Sequence, residues 1–274
     1  MQRTFSTSGP VSLHVELRSG DLVVATADVP DTVVDVSGDA AGEVAVDQHG
    51  SRITVVGPKG GGGFFGGSSR DLTVRVTVPH DSRLSTKLGS ADLRVDGRLG
   101  ETSVKSGSGD VRIEELGAEA VVETGSGDVT VDVVRAPLQV KSGSGDVTVD
   151  RAHAPVQVAT GSGDVVVVAA DEPVTAKSGS GDLRVRVAQR DVSLTTASGD
   201  LVVDLINRGR LEARNVSGDI RVGVPAGLPV WTDVTSMSGS VRSDLQGAGE
   251  PAEGQDFVEL RAGTVSGDVH LQQR

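Results

Sequence analysis

An 18-residue period in the middle of this chain constrains its fold more than any other feature. With the Asp that follows Ser-Gly as marker, Asp110, Asp128, Asp146, Asp164, Asp182 and Asp200 are each 18 residues apart, and Asp92, after Ser90-Ala91, extends the series back. The spacing then loosens, to Asp219 after 19 residues, to Ser240 in a Ser-Gly-Ser variant, and to Asp268. Ser19-Gly20-Asp21 and Ser37-Gly38-Asp39 are degenerate echoes near the start. A repeat this short cannot bury an apolar face alone, so its copies must stack on one another.

Positions within a repeat keep their character. One residue after the marker stand Val111, Val129, Val147, Val165, Leu183 and Leu201, and three after it Ile113, Val131, Val149, Val167, Val185 and Val203. Polar residues lie between, as in Asp146-Val147-Thr148-Val149-Asp150, which is the period-2 signature of a strand with one buried face. A second strand precedes the marker, with Val104, Val122, Val140 and Val158 six residues before it and Leu138, Val156, Val174 and Val192 eight before. The two strands are joined by a Ser-Gly-Ser-Gly corner on one side. On the other is a looser corner with Pro137, Pro155 and Pro173 at one position, where a missing N–H costs least.

The pattern predicts an all-β, single-stranded β-solenoid (β-helix) with 18-residue rungs and capping strands at both ends. Residues 1–83 read as a strand-rich N-terminal part and cap, 84–224 as the regular rungs, and 225–274 as irregular rungs and a C-terminal cap, together one continuous elongated domain. Trp231 and Phe257, outside the regular block, read as rings covering an open solenoid end. With 37 Gly and only 2% aromatic residues the interior must be narrow.

Composition also removes functions. With no Cys there is no disulfide framework and no thiolate metal site. A net charge of −12 without a basic patch argues against nucleic acid. Met1 to Val15 hold no apolar core of signal-peptide length, and no stretch is apolar enough to span a bilayer, so the sequence predicts a cytoplasmic protein, with cell-envelope association left open. The five histidines, His14, His49, His80, His153 and His270, share no repeat position. Neither a Gly-x-Ser-x-Gly elbow nor a phosphate-binding loop is present, so no catalytic residue and no cofactor are expected.

The Ser-Gly-Ser-Gly-Asp corners carry two readings. In one, Gly permits a tight left-handed corner while Ser and Asp bond to neighbouring backbone. In the other, Asp110, Asp128, Asp146, Asp164, Asp182 and Asp200 bind calcium between stacked turns, as Gly-rich nonapeptide repeats do, although the period here is 18 and the Asp follows Gly directly. Carboxylates one strand spacing apart (~4.8 Å) repel by about 1 kcal/mol per pair in water, so something must offset them. Lys87, Lys105, Lys141 and Lys177, five residues before their markers, are the candidates. The corner entry also alternates, Lys-Ser at 105, 141 and 177 against Thr at 124, 160 and 196. Phe64 and Phe65, adjacent within Gly57-Pro58-Lys59-Gly60-Gly61-Gly62-Gly63-Phe64-Phe65-Gly66-Gly67, break the pattern and read as a partner contact or a lid on the solenoid's side.

The Ser-Gly-Ser-Gly-Asp-Val-x-Val rungs, the segment Asp28 to Val36, the Gly57-Pro58-Lys59 turn, Val78-Pro79-His80-Asp81-Ser82-Arg83-Leu84 and Trp231-Thr232-Asp233 together resemble the bacterial β-strand-repeat family known as putative adhesins, a domain-of-unknown-function family. The resemblance covers nearly the whole chain. It implies a non-catalytic β-solenoid, linked in relatives to the cell envelope, with no agreed activity and no catalytic residues to carry over.

Two functional classes follow. One is an interaction scaffold presenting ladders such as Thr130, Thr148 and Val166 to a protein or glycan. The other is a glycan-binding or hydrolytic solenoid with one localised patch. Self-association through the solenoid ends is a third outcome, opposed by net charge.

Overall fold

Val, Leu and Ile alternating with Thr, Arg and Asp make strands with one apolar face, and such strands fill the structure. The computed structural model describes residues 1–58, 72–247, 249 and 251–274. Its regular elements are strands, apart from one short 3-10 helix, Ala41–Glu43, among the described residues. No described helix is long and apolar enough to cross a membrane. The chain forms the expected all-β solenoid, in two compact units, Met1–Pro137 and Leu138–Arg274.

In the first unit, rungs are made from β2 (Ser12–Leu17) with β3 (Asp21–Ala27), β6 (Arg52–Val56) with β7 (Leu72–Pro79), β8 (Arg83–Leu88) with β9 (Asp92–Leu99), β10 (Thr102–Ser106) with β11 (Val111–Leu116), and β12 (Ala120–Thr124) with β13 (Val129–Val134). The rungs do not stack in chain order: β2 lies between β6 and β8, and β3 between β7 and β9. Leu13 thus sits between Ile53 and Leu84, and Asp21 is a true marker beside Asp92. The outer end is closed by antiparallel strands, β1 (Gln2–Ser6) and β4 (Asp31–Gly38) on one sheet and β5 (Ala45–His49) on the other. Asp39 follows β4 and is therefore not a rung marker.

In the second unit the rungs are β14 (Leu138–Ser142) with β15 (Val147–Ala152), β16 (Val156–Thr160) with β17 (Val165–Ala170), β18 (Val174–Ser180) with β19 (Leu183–Ala188), β20 (Val192–Ser198) with β21 (Leu201–Ile206), and β22 (Gly209–Ser217) with β23 (Ile220–Val224). Two more follow, β24 (Val230–Ser238) with β25 (Val241–Ser243) and β26 (Val258–Ser266) with β27 (Val269–Gln273). The last pair in sequence is not last in space. β26 pairs with β22 and β24, and β27 with β23 and β25, so residues 258–273 are inserted between two earlier rungs and β24 is left as the sheet edge.

The core consists of in-register ladders. Val147, Val165, Leu183, Leu201, Ile220 and Val269 are all buried, as are Val149, Val167, Val185, Val203, Val222 and Leu271. On the facing sheet Leu138, Val156, Val174, Val192, Leu211 and Leu260 form another such row. A further row, Ala152, Ala170, Ala188 and Ile206, lies six residues after the marker. Strict alternation does not predict it, because the residues four and five after the marker both turn outward and shift the parity by one, in the same way in each rung, so that the register is kept. Trp231 and Phe257 do not cap the open end: they are 79% and 47% exposed, because Trp231 projects from the outer face of the edge strand and Phe257 lies just before β26.

Candidate functional site

The Ser-Gly-Ser-Gly-Asp corner is built from the inside outward. Its first hydroxyl points into the core and closes the turn: Ser142 Oγ donates to the Gly145 carbonyl at 3.0 Å, and Thr160 Oγ1 accepts the Gly163 N–H at 3.0 Å. Ser and Thr thus fill one role in alternate rungs. The last Gly is required by stacking. A Cβ on Gly163 would overlap the carbonyl of Gly145, and one on Gly181 that of Gly163. Neither residue has a positive φ, whereas Gly199, further along, does at 141°, so in the central rungs close approach and not a left-handed backbone demands glycine.

The aspartates form a ladder in each unit. In the first, the N–H of Asp110 donates to Asp92 Oδ1 at 2.9 Å and that of Asp128 to Asp110 Oδ1 at 2.9 Å. In the second, Asp164 donates to Asp146 (2.8 Å), Asp182 to Asp164 (2.8 Å), Asp200 to Asp182 (2.7 Å) and Asp219 to Asp200 (2.8 Å). The inserted rung continues it, with Asp268 donating to Asp219 at 2.9 Å and Ser240 to Asp268 at 2.8 Å. Each carboxylate therefore satisfies a backbone donor of the next rung, as an N-capping Asp does in a helix. At Asp268 that bond from the Ser240 N–H holds the carboxyl below its usual pKa.

Lys87 and Lys105 do not supply the offset. Lys87 pairs with Glu16 at 2.9 Å and Lys105 with Glu123 at 3.2 Å, on the outer face of the other sheet. Late in the second unit Arg221 bridges the second oxygens of Asp200 (3.2 Å) and Asp219 (2.9 Å). Among the described residues, no three His, Asp or Glu side chains gather closely enough to hold a metal ion. Phe64 and Phe65 lie outside the described residues.

What the sequence did not reveal is a polar groove of about 680 Å³ on the outer face of β6, β2, β8 and β10 in the first unit. The parallel register sets Ser12 between Arg52 and Arg83, and His14 between Thr54 and Ser85. His14 Nδ1 lies 3.3 Å from Ser85 Oγ, and its Nε2 3.0 Å from Glu16 Oε1. Glu16 in turn accepts from Lys87, whose hydrogen bond, with that of His14, holds the Glu16 carboxyl below its usual pKa. Arg83 approaches Glu101 at 3.5 Å, while among the described residues no acidic side chain pairs with Arg52. His14 and Ser85 are 71 residues apart in sequence, and only the insertion of the β2 rung before β8 brings them together.

A Ser, a His and a Glu in hydrogen-bonded sequence invite a comparison with nucleophilic catalysis. Here the residues stand on an open sheet face whose backbone N–H groups are engaged in the strand ladders. Among the described residues of this face, the paired strand amides therefore form no backbone oxyanion hole.

The family comparison agrees with the all-β solenoid fold. The model of the Toastrack DUF4097 family matches residues 11–208 and 177–272. Twelve solved chains match in structure. Among them is a "putative lipid binding protein" of Parabacteroides distasonis, with 13% identity, a TM-score of 0.50, and coverage of 99% of this chain and 96% of that one. Another is a "putative adhesin" of Bacteroides fragilis, at 11% identity and a TM-score of 0.39, covering 99% and 96%. No curated protein sequence matches. Two family matches that between them span the chain from the first β2 rung to the inserted β27 lead to one conclusion: the chain belongs to the Toastrack DUF4097 family.

Proposed function

We propose that the protein is a non-catalytic, adhesin-like binding module of the cell envelope, and that it takes an extended anionic chain, a carboxylated glycan in the first instance, along the groove of the first unit. The observation that carries this is the pair Arg52 and Arg83 flanking Ser12 across three neighbouring strands, on a protein of net charge −12. Guanidinium groups match carboxylates bidentately, and hydroxyls of Ser12, Ser85 and Thr54 nearby suit sugar hydroxyls. A groove of paired strands is rigid, so the ladder spacing of ~4.8 Å offers repeated contacts to a repeating polymer at little ordering cost.

The test is calorimetric titration with a polyuronate and with a neutral dextran, alongside an assay for newly released reducing ends. The expected result is polyuronate binding that weakens with salt, falls about tenfold in Arg52→Ala or Arg83→Ala, and releases no reducing ends. Equal binding of the neutral polymer would sink the arginine reading, and reducing ends whose release needs His14 would sink the non-catalytic one.

A further inference from the structure

The large apolar side chains that are exposed among the described residues are not scattered. Apart from Met1 they are Val216, Trp231, Met237, Val241, Phe257 and Val265, all in the last rungs of the second unit. Clustered exposure of this kind marks a surface that is covered in use. Three of them form a row on one outer face: the registers that pair Asn215 and Ser217 with Thr264 and Ser266, and those in turn with Ser236 and Ser238, set Val216, Val265 and Met237 side by side. The row stops at β24, a nine-residue strand that among the described residues pairs only with β26 and contains neither Pro nor Lys to blunt its open edge.

We infer that β24 pairs antiparallel with β24 of a second copy of this chain, centred on Val234, in an isologous dimer that rests on a different surface from the proposed groove. The backbone phase allows it. Val258 donates to the Pro229 carbonyl, so in a parallel ladder the odd-numbered residues of β24 bond to β26, and the N–H and C=O groups of Val230, Thr232, Val234 and Ser236 face the open edge, whereas the Ser238 carbonyl turns to β26 and accepts the Gly267 N–H. Centring on Val234 pairs the strand from Trp231 to Met237 and makes Thr232, Val234 and Ser236 the hydrogen-bonded positions.

The side chains are self-complementary in that register. Trp231 falls opposite the second copy's Met237 at both ends, in non-hydrogen-bonded pairs where side chains lie closest. A Met sulfur against an indole is a favourable contact. The row Val216, Val265, Met237 then continues into the second copy's Trp231, which covers Met237, 82% exposed in the single chain. Asp233 meets Thr235, which keeps the two copies' Asp233 from standing directly opposite. A register centred on Thr232 or Ser236 leaves part of the strand unpaired and loses both Trp–Met contacts.

Sedimentation of the full chain from about 1 to 100 µM tests this, since a single strand pair with two aromatic anchors is expected to give a micromolar homodimer. The wild type should dimerise over that range. Trp231→Lys and Met237→Glu, both at exposed positions, should each remain monomeric with unchanged circular dichroism. The double variant W231K/M237E should dimerise again, because the introduced ammonium of one copy would face the introduced carboxylate of the other at both ends of the strand pair. A monomeric wild type overturns the inference, as does a dimer indifferent to either single change. A dimer broken by both singles and not restored by the double overturns the Val234-centred register.

Discussion

Replacing Asp164 by Asn and by Ala separates the two forces at the corner. Asp164 Oδ1 accepts the Asp182 N–H at 2.8 Å, and its own N–H donates to Asp146 Oδ1 at 2.8 Å, so its carboxylate stands between two others in the ladder. Capping bonds of this kind contribute about 1 kcal/mol. Two like-charged neighbours one strand spacing away each cost about 1 kcal/mol in water before screening. Asn keeps the acceptor and removes the charge. D164N should therefore match the wild type or exceed it by up to about 1 kcal/mol at low salt, and the gain should fade at about 1 M salt, where the Debye length is about 3 Å. Ala removes both, so D164A should lie about 1 kcal/mol below D164N at any salt concentration. Urea unfolding measures the totals. Hydrogen exchange at the Asp182 amide measures the bond itself, with about a tenfold loss of protection expected in D164A against D164N for each 1.4 kcal/mol. If D164N is as damaged as D164A, the corner needs the negative charge and the capping account is wrong. A calcium titration of the wild type, with melts in calcium and in chelator, then asks whether the charge serves an ion.

Two further outcomes follow from buried and paired groups. Ser82 is fully buried, donating to the Pro79 carbonyl at 2.7 Å and accepting the Val11 N–H at 3.0 Å, so Ser82→Ala leaves two buried backbone groups unpaired and should cost about 2–4 kcal/mol in urea unfolding. Asp81 is held below its ordinary pKa of 3.8, first by the hydrogen bond from Arg98. With the folded value the lower one, its stabilisation is complete above 3.8 and is lost as pH falls through the folded value. The melting temperature should thus drop more steeply below pH 3.8 in the wild type than in Arg98→Gln, and parallel curves would contradict this.

The 18-residue marker spacing and the Val-x-Val pattern determined the rungs, their inward rows and the all-β solenoid, because a parallel stack of identical units turns sequence period directly into spatial neighbours. The hydroxyl and the Asp of each corner were legible for the same reason. Tertiary structure decided what local period cannot encode. The row six residues after the marker depends on a change of parity that every rung makes together, and the glycine requirement at Gly163 on a carbonyl from the rung before it. Rung order at both ends was also invisible: β2 and β3 lie between later rungs, and β26 and β27 between earlier ones, since any rung with a matching apolar face can stack on any other. That ordering brings His14 to Ser85 and Arg52 to Arg83 across Ser12, and leaves β24, with Trp231 and Met237 exposed, at the open edge. Spacing along the chain specifies the unit. Which units meet is specified only by the packing of the whole.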